Sequence, residues 1–223
     1  MNMEQIEEQK LNYEEKYHQE RHKTHFNEKY YDARALIAKD KFFNDVPDNA
    51  KLLDYGCGLG QNIYYFKNAI GFDISRFGLD FCRSKGLKVT DNLYDIEDES
   101  MEYVFSSHVL EHHPHPKLMI EEMKSKLKKG CDLILIIPHE RHGKSDFKLD
   151  LNQHLYAWNF RAINNLLITC GFKIKKNKYL RGIGYDKWLF LRGFSFSLYQ
   201  FLTVLTSYLF GVKEMMIVAT KDE

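Results

Sequence analysis

The chain of 223 residues carries 32 lysines and arginines against 31 aspartates and glutamates, a formal charge of +1. Its length predicts one large domain, residues 1–223, and 44% hydrophobic residues are enough for a core. The near-zero charge disfavours nucleic acid as the main partner, because neutralising many phosphates needs an excess of lysine and arginine.

The N-terminal segment and the cysteines indicate where the chain works. The first residues, MNMEQIEEQKLNYEEKY, are acidic and polar where a secretory signal would place basic and then apolar residues. The four cysteines are scattered without a CxxC pair, so we expect reduced thiols rather than a zinc ribbon or a disulfide framework. A cytoplasmic location is the expectation.

The predicted elements begin with helices and continue as alternating strands and helices. The segment from Met3 to about Asn44 has apolar residues at helical spacing near its end, which predicts a two-helix cap over residues 1–46. From Pro47 onwards, short apolar runs alternate with helical stretches, the rhythm of a parallel sheet. The predicted strands are Lys51–Asp54, Ile70–Asp73, Leu87–Thr90, Tyr103–Ser106, Leu133–Ile137, Phe172–Asn177 and Met215–Thr220, and the predicted helices between them are Gln61–Lys67, Arg76–Lys85, Pro116–Leu127 and Asn159–Cys170.

A glycine-rich turn follows the first predicted strand. Gly56, Gly58 and Gly60 have the spacing GxGxG, which lets backbone N–H groups approach a ligand without side chains in the way. Gln61 stands where a dinucleotide fingerprint would place its third glycine, which disfavours a NAD-dependent dehydrogenase. Asp73 ends the second strand, where a carboxylate can accept both hydroxyls of a ribose.

Four segments of the sequence resemble the class I S-adenosylmethionine-dependent methyltransferases. They are DYGCGLGQN (54–62), GFDIS (71–75), ESMEYVFSSHVLEHHPHP (99–116) and LKKGCDLILIIP (127–138), the last departing slightly from the family's double glycine. The resemblance spans roughly residues 50–180. It implies a Rossmann-like α/β fold with a seven-stranded, mostly parallel sheet whose last strand is reversed, and S-adenosylmethionine as cofactor.

The resemblance also implies roles for individual residues. Gly56 and Gly58 would line the methionine part of the cofactor, Asp54 would lie by its amino group, Asp73 would bind the ribose, and Ser107 would lie near the sulfonium. Two neighbours belong to the same predicted set, Tyr55 and Ile74.

The adenine contact is open between two pairs after the third strand. Asp91-Asn92 and Asp95-Ile96 both fit a loosely defined family pattern, and we favour Asp91 and Asn92.

The histidines are the candidates for acid–base chemistry. The run DLNQHLYAW (150–158) resembles an H-x-Y-x-W element of bacterial methyltransferases of surface-polysaccharide and lipid-linked sugar pathways, which points to a sugar or lipid-linked acceptor. His154 in this element is the leading general-base candidate, because histidine can take a hydroxyl proton near neutral pH; ordering the loop is an equally weighted role. His112 is the second catalytic candidate, although hydrogen bonding of Glu111 and His112 to loops around the cofactor is the more ordinary role.

The segment from His108 to His112 also matches the H-x-x-E-H pattern of zinc peptidases. It follows a strand directly and runs into His-Pro-His-Pro, so a long metal-bearing helix cannot form there. We expect no metal.

The stretch from Gly193 to Val212 carries no charge and lies in a predicted amphipathic insertion, residues 182–212, before the last strand. Polar and apolar residues fall on different stripes of a helix, which disfavours a transmembrane span. Three roles stay open: buried packing, a lid over the acceptor, and a patch for peripheral contact with a membrane or a partner chain. We favour packing with a lid.

The predicted function is methyl transfer to an oxygen, or less favourably a nitrogen, of a small molecule. Its rivals are an RNA or protein methyltransferase and a non-catalytic interaction module that retains the fold. The intact turn at Gly56–Gly58 and Asp73 argue against the module, since a protein without cofactor has no need of that loop. Oligomeric state is not predicted.

Overall fold

The computed structural model describes residues 18–20, 23–140, 154–183 and 185–222, and a seven-stranded sheet forms its centre. The strand order is β3-β2-β1-β4-β5-β7-β6; pairing is parallel from β3 to β5, and β7 is antiparallel to both neighbours. The predicted mostly parallel sheet with a reversed last strand is confirmed. The strands are β1 (Leu52–Tyr55), β2 (Ala69–Phe72), β3 (Val89–Thr90), β4 (Met101–Ser107), β5 (Leu127–Pro138), β6 (Phe172–Leu180) and β7 (Glu214–Lys221).

Five α-helices accompany the sheet in the described ranges, and side-chain caps mark where most of them begin. They are α1 (Glu28–Phe42), α2 (Arg76–Ser84), α3 (Pro116–Lys126), α4 (Phe160–Thr169) and α5 (Phe196–Leu209). Asn27, Ser75, Asn159 and Ser195 each accept a hydrogen bond from the first turn of the helix that follows, satisfying N–H groups that have no partner within the helix. The helix α3 instead begins with Pro116, whose missing N–H costs nothing at that position.

The helix predicted over Gln61–Lys67 is wrong, because successive tight turns occupy this segment. Ile63 N–H donates to the Gly60 carbonyl at 3.2 Å, and Phe66 N–H donates to the Ile63 carbonyl at 2.9 Å. Ile63 and Phe66 are both buried and three residues apart, a spacing that fits three-residue turns better than an α-helix. Only eight residues separate Gly60 from β2, so the chain reaches the next strand without a full helix.

The core lies on both faces of the sheet. The apolar residues of β5 alternate between two buried clusters, one containing Leu133 and Leu135, the other Ile134 and Ile136. This double burial agrees with the nearly continuous apolar run of the strand. The helix α1 covers the second face, and its Phe42 ring stacks on Phe105 with ring centroids 5.5 Å apart.

The inserted helix α5 packs with its polar side inward. Tyr199, Thr203 and Ser207 are buried, whereas the stripe of Leu198, Phe201, Leu205, Tyr208 and Leu209 is 43–77% exposed. This differs from the packing expected for the apolar stripe. Tyr199 packs with Ala33 and Ile37 of α1, so the contact between the two helices is made from the opposite side of α5. Within the described ranges, no helix has the length and apolar character that crossing a bilayer requires.

Candidate active site

A cleft of about 350 Å³ opens at the carboxyl ends of β1, β2 and β4, where open α/β sheets place their ligands. The glycine loop forms one wall, the end of β2 forms the floor, and the loop after β4 forms the opposite wall. The lining residues are Tyr55, Gly56, Gly58, Phe72, Asp73, Ile74, His108, Val109, His112, His113 and Pro114. Six of the predicted site residues, Tyr55, Gly56, Gly58, Asp73, Ile74 and His112, therefore line one cleft.

Two glycines shape the loop for different reasons. Gly56 has φ +80°, and a Cβ at this position would lie 2.2 Å from a methyl group of Val109. Gly58 has φ +53°, and a Cβ there would meet no atom within 4 Å. Close packing therefore requires a glycine at position 56, whereas at position 58 the missing side chain leaves open space beside the cleft.

Asp73 is fixed by two backbone donors. The Gly58 N–H donates to Asp73 Oδ2 at 2.7 Å, and the Ser75 N–H donates to Asp73 Oδ1 at 2.9 Å. The glycine loop and the start of α2 thus orient a carboxylate at the floor of the cleft. This is the placement that binding both hydroxyls of a ribose requires.

Asp54 is a buried carboxylate beside that floor. Its side chain is fully buried, and among the described residues neither oxygen has a partner at good hydrogen-bond geometry, although the Asn62 amide lies close to it. Burial, reinforced by the negative charge of Asp73, raises the pKa of Asp54 well above its ordinary value, and the nearby Asn62 amide opposes this shift. An unsatisfied buried acid next to a glycine loop fits a cationic ligand group, such as the ammonium of S-adenosylmethionine.

The N-terminal segment holds the glycine loop in place. The buried Tyr31 hydroxyl on α1 donates to the Leu59 carbonyl at 2.9 Å. His18 Nε2 lies 3.1 Å from the Ser75 hydroxyl, which also caps α2. Both the loop and the end of β2 are therefore supported from the N-terminal side.

The other predicted cofactor residues do not line this cleft. Asn92 caps the short turn of 3₁₀-helix at Leu93–Asp95, and its amide also donates to Asp95 at 3.0 Å. Asp91 is exposed beside it, and Ser107 ends β4.

Tyr55 lines the cleft, but its hydroxyl donates to Glu122 at 2.6 Å, so its side chain is held by α3.

A buried carboxylate surrounded by three imidazoles lies beside the cleft. Glu111 is fully buried, and its carboxylate accepts no hydrogen bond from a described residue. His108, His112 and His154 place a ring nitrogen 3.5, 3.9 and 4.0 Å, respectively, from Glu111 Oε1. The hydrogen bond of Glu111 to a neighbouring loop is made by its backbone carbonyl, which accepts from Leu155 N–H at 2.8 Å.

The two catalytic candidates contact each other in this cluster. The His112 and His154 rings meet edge to face, with centroids 4.7 Å apart. On its other side, His154 Nδ1 is in contact with the Glu140 carboxylate. One ligand atom each from Glu111, His112 and His154 lie within 4.8 Å of one another, so the same donor set has the proximity to hold a cation.

His108 is a site residue that the sequence analysis did not select. It has φ +57°, unusual for a residue with a side chain, and its Nε2 lies 3.0 Å from Glu214 Oε1. Burial lowers the pKa of His108, but the Glu214 and Glu111 carboxylates outweigh this effect and raise it. The side chain is 41% exposed, so solvent screens part of this attraction. Its signal in the sequence is the H-x-x-E-H pattern.

The Rossmann-like sheet, glycine loop and oriented Asp73 define a class I S-adenosylmethionine-dependent methyltransferase. The family described as "Methyltransferase domain" matches residues 16–177, and the chain belongs to this family. The enzyme uses S-adenosylmethionine as its cofactor.

The chain is similar to a curated relative and to several solved structures. The uncharacterized protein MJ1123 of Methanocaldococcus jannaschii is 29% identical over 163 residues, which cover 66% of this chain and 77% of that protein. The Haloferax volcanii protein solved in complex with the Trm112 methyltransferase activator has a TM-score of 0.64 at 12% identity, covering 93% of this chain and 96% of that one. The 1,6-didemethyltoxoflavin-N1-methyltransferase of Burkholderia thailandensis, solved with S-adenosylhomocysteine, has a TM-score of 0.57 at 14% identity, covering 90% and 87%. At these identities the solved structures show the shared fold.

Proposed function

We propose that this enzyme transfers a methyl group to an oxygen, or less favourably a nitrogen, of a small-molecule acceptor, with sugars and lipid-linked sugars as the first class to test. The observation that carries the proposal is the cluster of Glu111, His112 and His154 beside the cofactor cleft. A hydroxyl acceptor must lose a proton, and this cluster offers an imidazole to take it and a carboxylate to stabilise the resulting charge. The H-x-Y-x-W element around His154 supports the sugar class.

The chain's own residues would hold the cofactor at three of its parts. Asp73 would bind the ribose hydroxyls, Asp54 would lie by the ammonium, and the open space at Gly58 would accommodate the methionine portion. When bound, S-adenosylmethionine supplies an electrophilic methyl group that passes to the acceptor as its bond to sulfur breaks. The protein's contribution is to hold the acceptor in line with that methyl group and to exclude water.

His154 is the proposed general base. Its Nδ1 is held by Glu140, and its Nε2 faces Glu111, so the ring has one orientation relative to the cluster. The proton of the acceptor hydroxyl goes to this imidazole, and the buried Glu111 carboxylate stabilises the imidazolium. His112 lines the cleft and packs against His154, which places it between the cofactor side and the base.

The test begins with an acceptor screen that includes sugars, lipid-linked sugars, total RNA and protein extract. With the acceptor found, His154→Gln is expected to lower kcat by roughly 10²–10⁴, the usual contribution of a general base, while the KM for S-adenosylmethionine is unchanged. His115→Gln is the matched control, because His115 is exposed on the same loop as His113.

Two results would overturn the proposal. Methylation of RNA or protein alone would reassign the acceptor class. Loss of the rate on chelation, with recovery on adding a divalent cation, would reassign Glu111, His112 and His154 as ligands and remove His154 as base.

A further inference from the structure

The feature that the methyl-transfer proposal leaves unused is the outward side of α5. We define the apolar face as Leu198, Phe201, Leu205, Tyr208 and Leu209. These positions fall on one stripe of the helix, opposite the buried Tyr199, Thr203 and Ser207. Further exposed apolar residues flank the helix in the sequence: Phe190 and Phe194 precede it, and Phe210 and Val212 follow it. Monomeric soluble proteins rarely leave so continuous an apolar surface without an occupant.

The inward side of α5 shows that this orientation is built into the helix. Thr203 Oγ1 donates to the Tyr199 carbonyl at 2.8 Å, and Trp188 Nε1 donates to Thr206 Oγ1 at 2.9 Å. The polar side chains thus have partners where they are. The Thr203 bond lies within the helix, so rotating α5 to bury its leucines would break the bond from Trp188 and expose Tyr199.

The charges around the apolar face are mostly positive. No charged residue occurs from Gly193 to Val212. Arg181, Lys187, Arg192 and Lys213 flank the segment; Arg192 forms an ion pair with Asp32, which leaves three flanking cations against the acids Asp186 and Glu214, and Glu214 is paired with His108. The Arg181 guanidinium lies over the Tyr208 ring, 4.3 Å from its centroid, and is thereby held at the edge of the apolar face. An apolar stripe bordered by cations is typical of helices that lie in the interface of an anionic membrane.

A recess next to the apolar face borders the active site. This cavity of about 450 Å³ has Phe210 and Val212 at its wall, together with the cations Arg34 and Lys213. Glu214 also lines it, and that residue contacts His108 of the cofactor cleft. The recess and the cofactor cleft are thus separated by the contact between Glu214 and His108.

We infer that the apolar face of α5 docks this enzyme on the surface of an anionic lipid bilayer. A second copy of the chain fits less well, because a two-fold interface would set the same cationic border against itself. The inference goes beyond methyl transfer and does not need an acceptor to be known. Since α5 has 14 residues, the helix would lie along the surface.

The experiment is flotation of the full chain with vesicles of phosphatidylcholine, alone or mixed with phosphatidylglycerol. We expect the wild type to float with the mixed vesicles, and the fraction bound to fall as salt is raised. The double variant Phe201→Asp/Leu205→Asp is expected to lose at least tenfold in partition coefficient, since two apolar side chains no longer enter the bilayer. Lys187→Gln is expected to weaken binding to mixed vesicles about fivefold.

Matched controls distinguish specific docking from non-specific adsorption to vesicles and from misfolding. Leu118→Asp and Ile168→Asp introduce the same charge at apolar side chains that are about as exposed, on α3 and α4, and are expected to float like wild type. Phe201 and Leu205 are both exposed, so the circular dichroism and Tm of the double aspartate variant are expected to match those of the wild type. Wild-type protein that stays out of the floating fraction with mixed vesicles would overturn the inference. So would light scattering showing a dimer that Phe201→Asp/Leu205→Asp dissociates. Neither result depends on the acceptor or on methyl transfer.

Discussion

At the scale of single residues, we expect Asp54 to link stability to cofactor binding. Its folded-state pKa is raised by burial, so the folded chain holds the proton more tightly than the unfolded chain does. This contribution to stability is fully present below the unfolded pKa and is lost as pH rises through the folded one. Without its ligand, the protein therefore carries a poorly solvated charge at alkaline pH.

We expect Asp54→Asn to raise the Tm of the cofactor-free protein at pH 8 and to weaken S-adenosylmethionine binding. Losing a hydrogen bond to a charged group is worth about 1.5–3 kcal/mol, or roughly ten- to a hundredfold in Kd. Calorimetric titration and thermal melts measure the two effects. Asp80→Asn, an exposed acid paired only with Arg83, is the control. A variant with lower Tm and unchanged Kd would contradict this role of Asp54.

The sequence predicted the cofactor residues better than the catalytic cluster, for a physical reason. Asp54, Gly56 and Asp73 lie where two strands end, and strand ends of a parallel sheet meet at one edge. Glu111 and His154 are brought together by the loop after β5, and His108 meets Glu214 across 106 residues. A local sequence pattern contains no information on contacts between residues so far apart in the chain. The H-x-x-E-H run therefore indicated which residue types are present, but not which other residues they would contact.

At the scale of elements, Ser75 connects the N-terminal segment, β2 and α2. Its hydroxyl accepts from the Gly78 N–H at 3.1 Å and contacts His18, while its own N–H holds Asp73. We expect Ser75→Ala to lower the free energy of unfolding by about 1 kcal/mol, the usual cost of losing a helix N-cap. Protection of residues 18–20 from hydrogen exchange should fall as well.

Urea unfolding and hydrogen exchange measure these effects, and Ser84→Ala at the exposed end of the same helix is the control. Ser84 donates only to the Phe81 carbonyl within its own helix. Equal losses in the two variants would show that Ser75 does not link the elements.

The elements that the sequence mispredicted show the limits of periodicity. The helices α2, α3 and α4 and most strands were predicted to within a few residues, because their caps and apolar patterns are local; β5 is the exception, since it begins at Leu127 rather than at the predicted Leu133. The segment Gln61–Lys67 has a helical pattern, but β2 begins at Ala69, so the chain is too short there to form a full helix before the strand. In α5 the two stripes were recognised, but the hydrogen bonds of its polar side, made to groups elsewhere on the insertion, decide which stripe faces inward.

At the scale of the whole molecule, the connectivity predicts one cooperative unit. The insertion that contains α5 begins after β6 and ends in β7, and β7 lies between β5 and β6 in the sheet. Both ends of the insertion are therefore anchored in neighbouring strands of the sheet. The helix α1 packs on the sheet through Phe42 and on α5 through Ile37, so neither can unfold without exposing core.

We expect a single thermal transition that S-adenosylmethionine shifts as a whole. At a hundred times Kd, ligand binding adds about 2.7 kcal/mol to the free energy of unfolding. For a chain of this size each kcal/mol raises Tm by about 2–4 °C, so the expected shift is roughly 5–11 °C. Asp73→Ala should melt in one transition without this shift, because it loses the proposed ribose contact; its own Tm is expected to be lower, since the Gly58 and Ser75 N–H groups lose their acceptor. Two transitions in the wild type, only one of them moved by the cofactor, would show that the N-terminal segment or the insertion unfolds separately from the sheet.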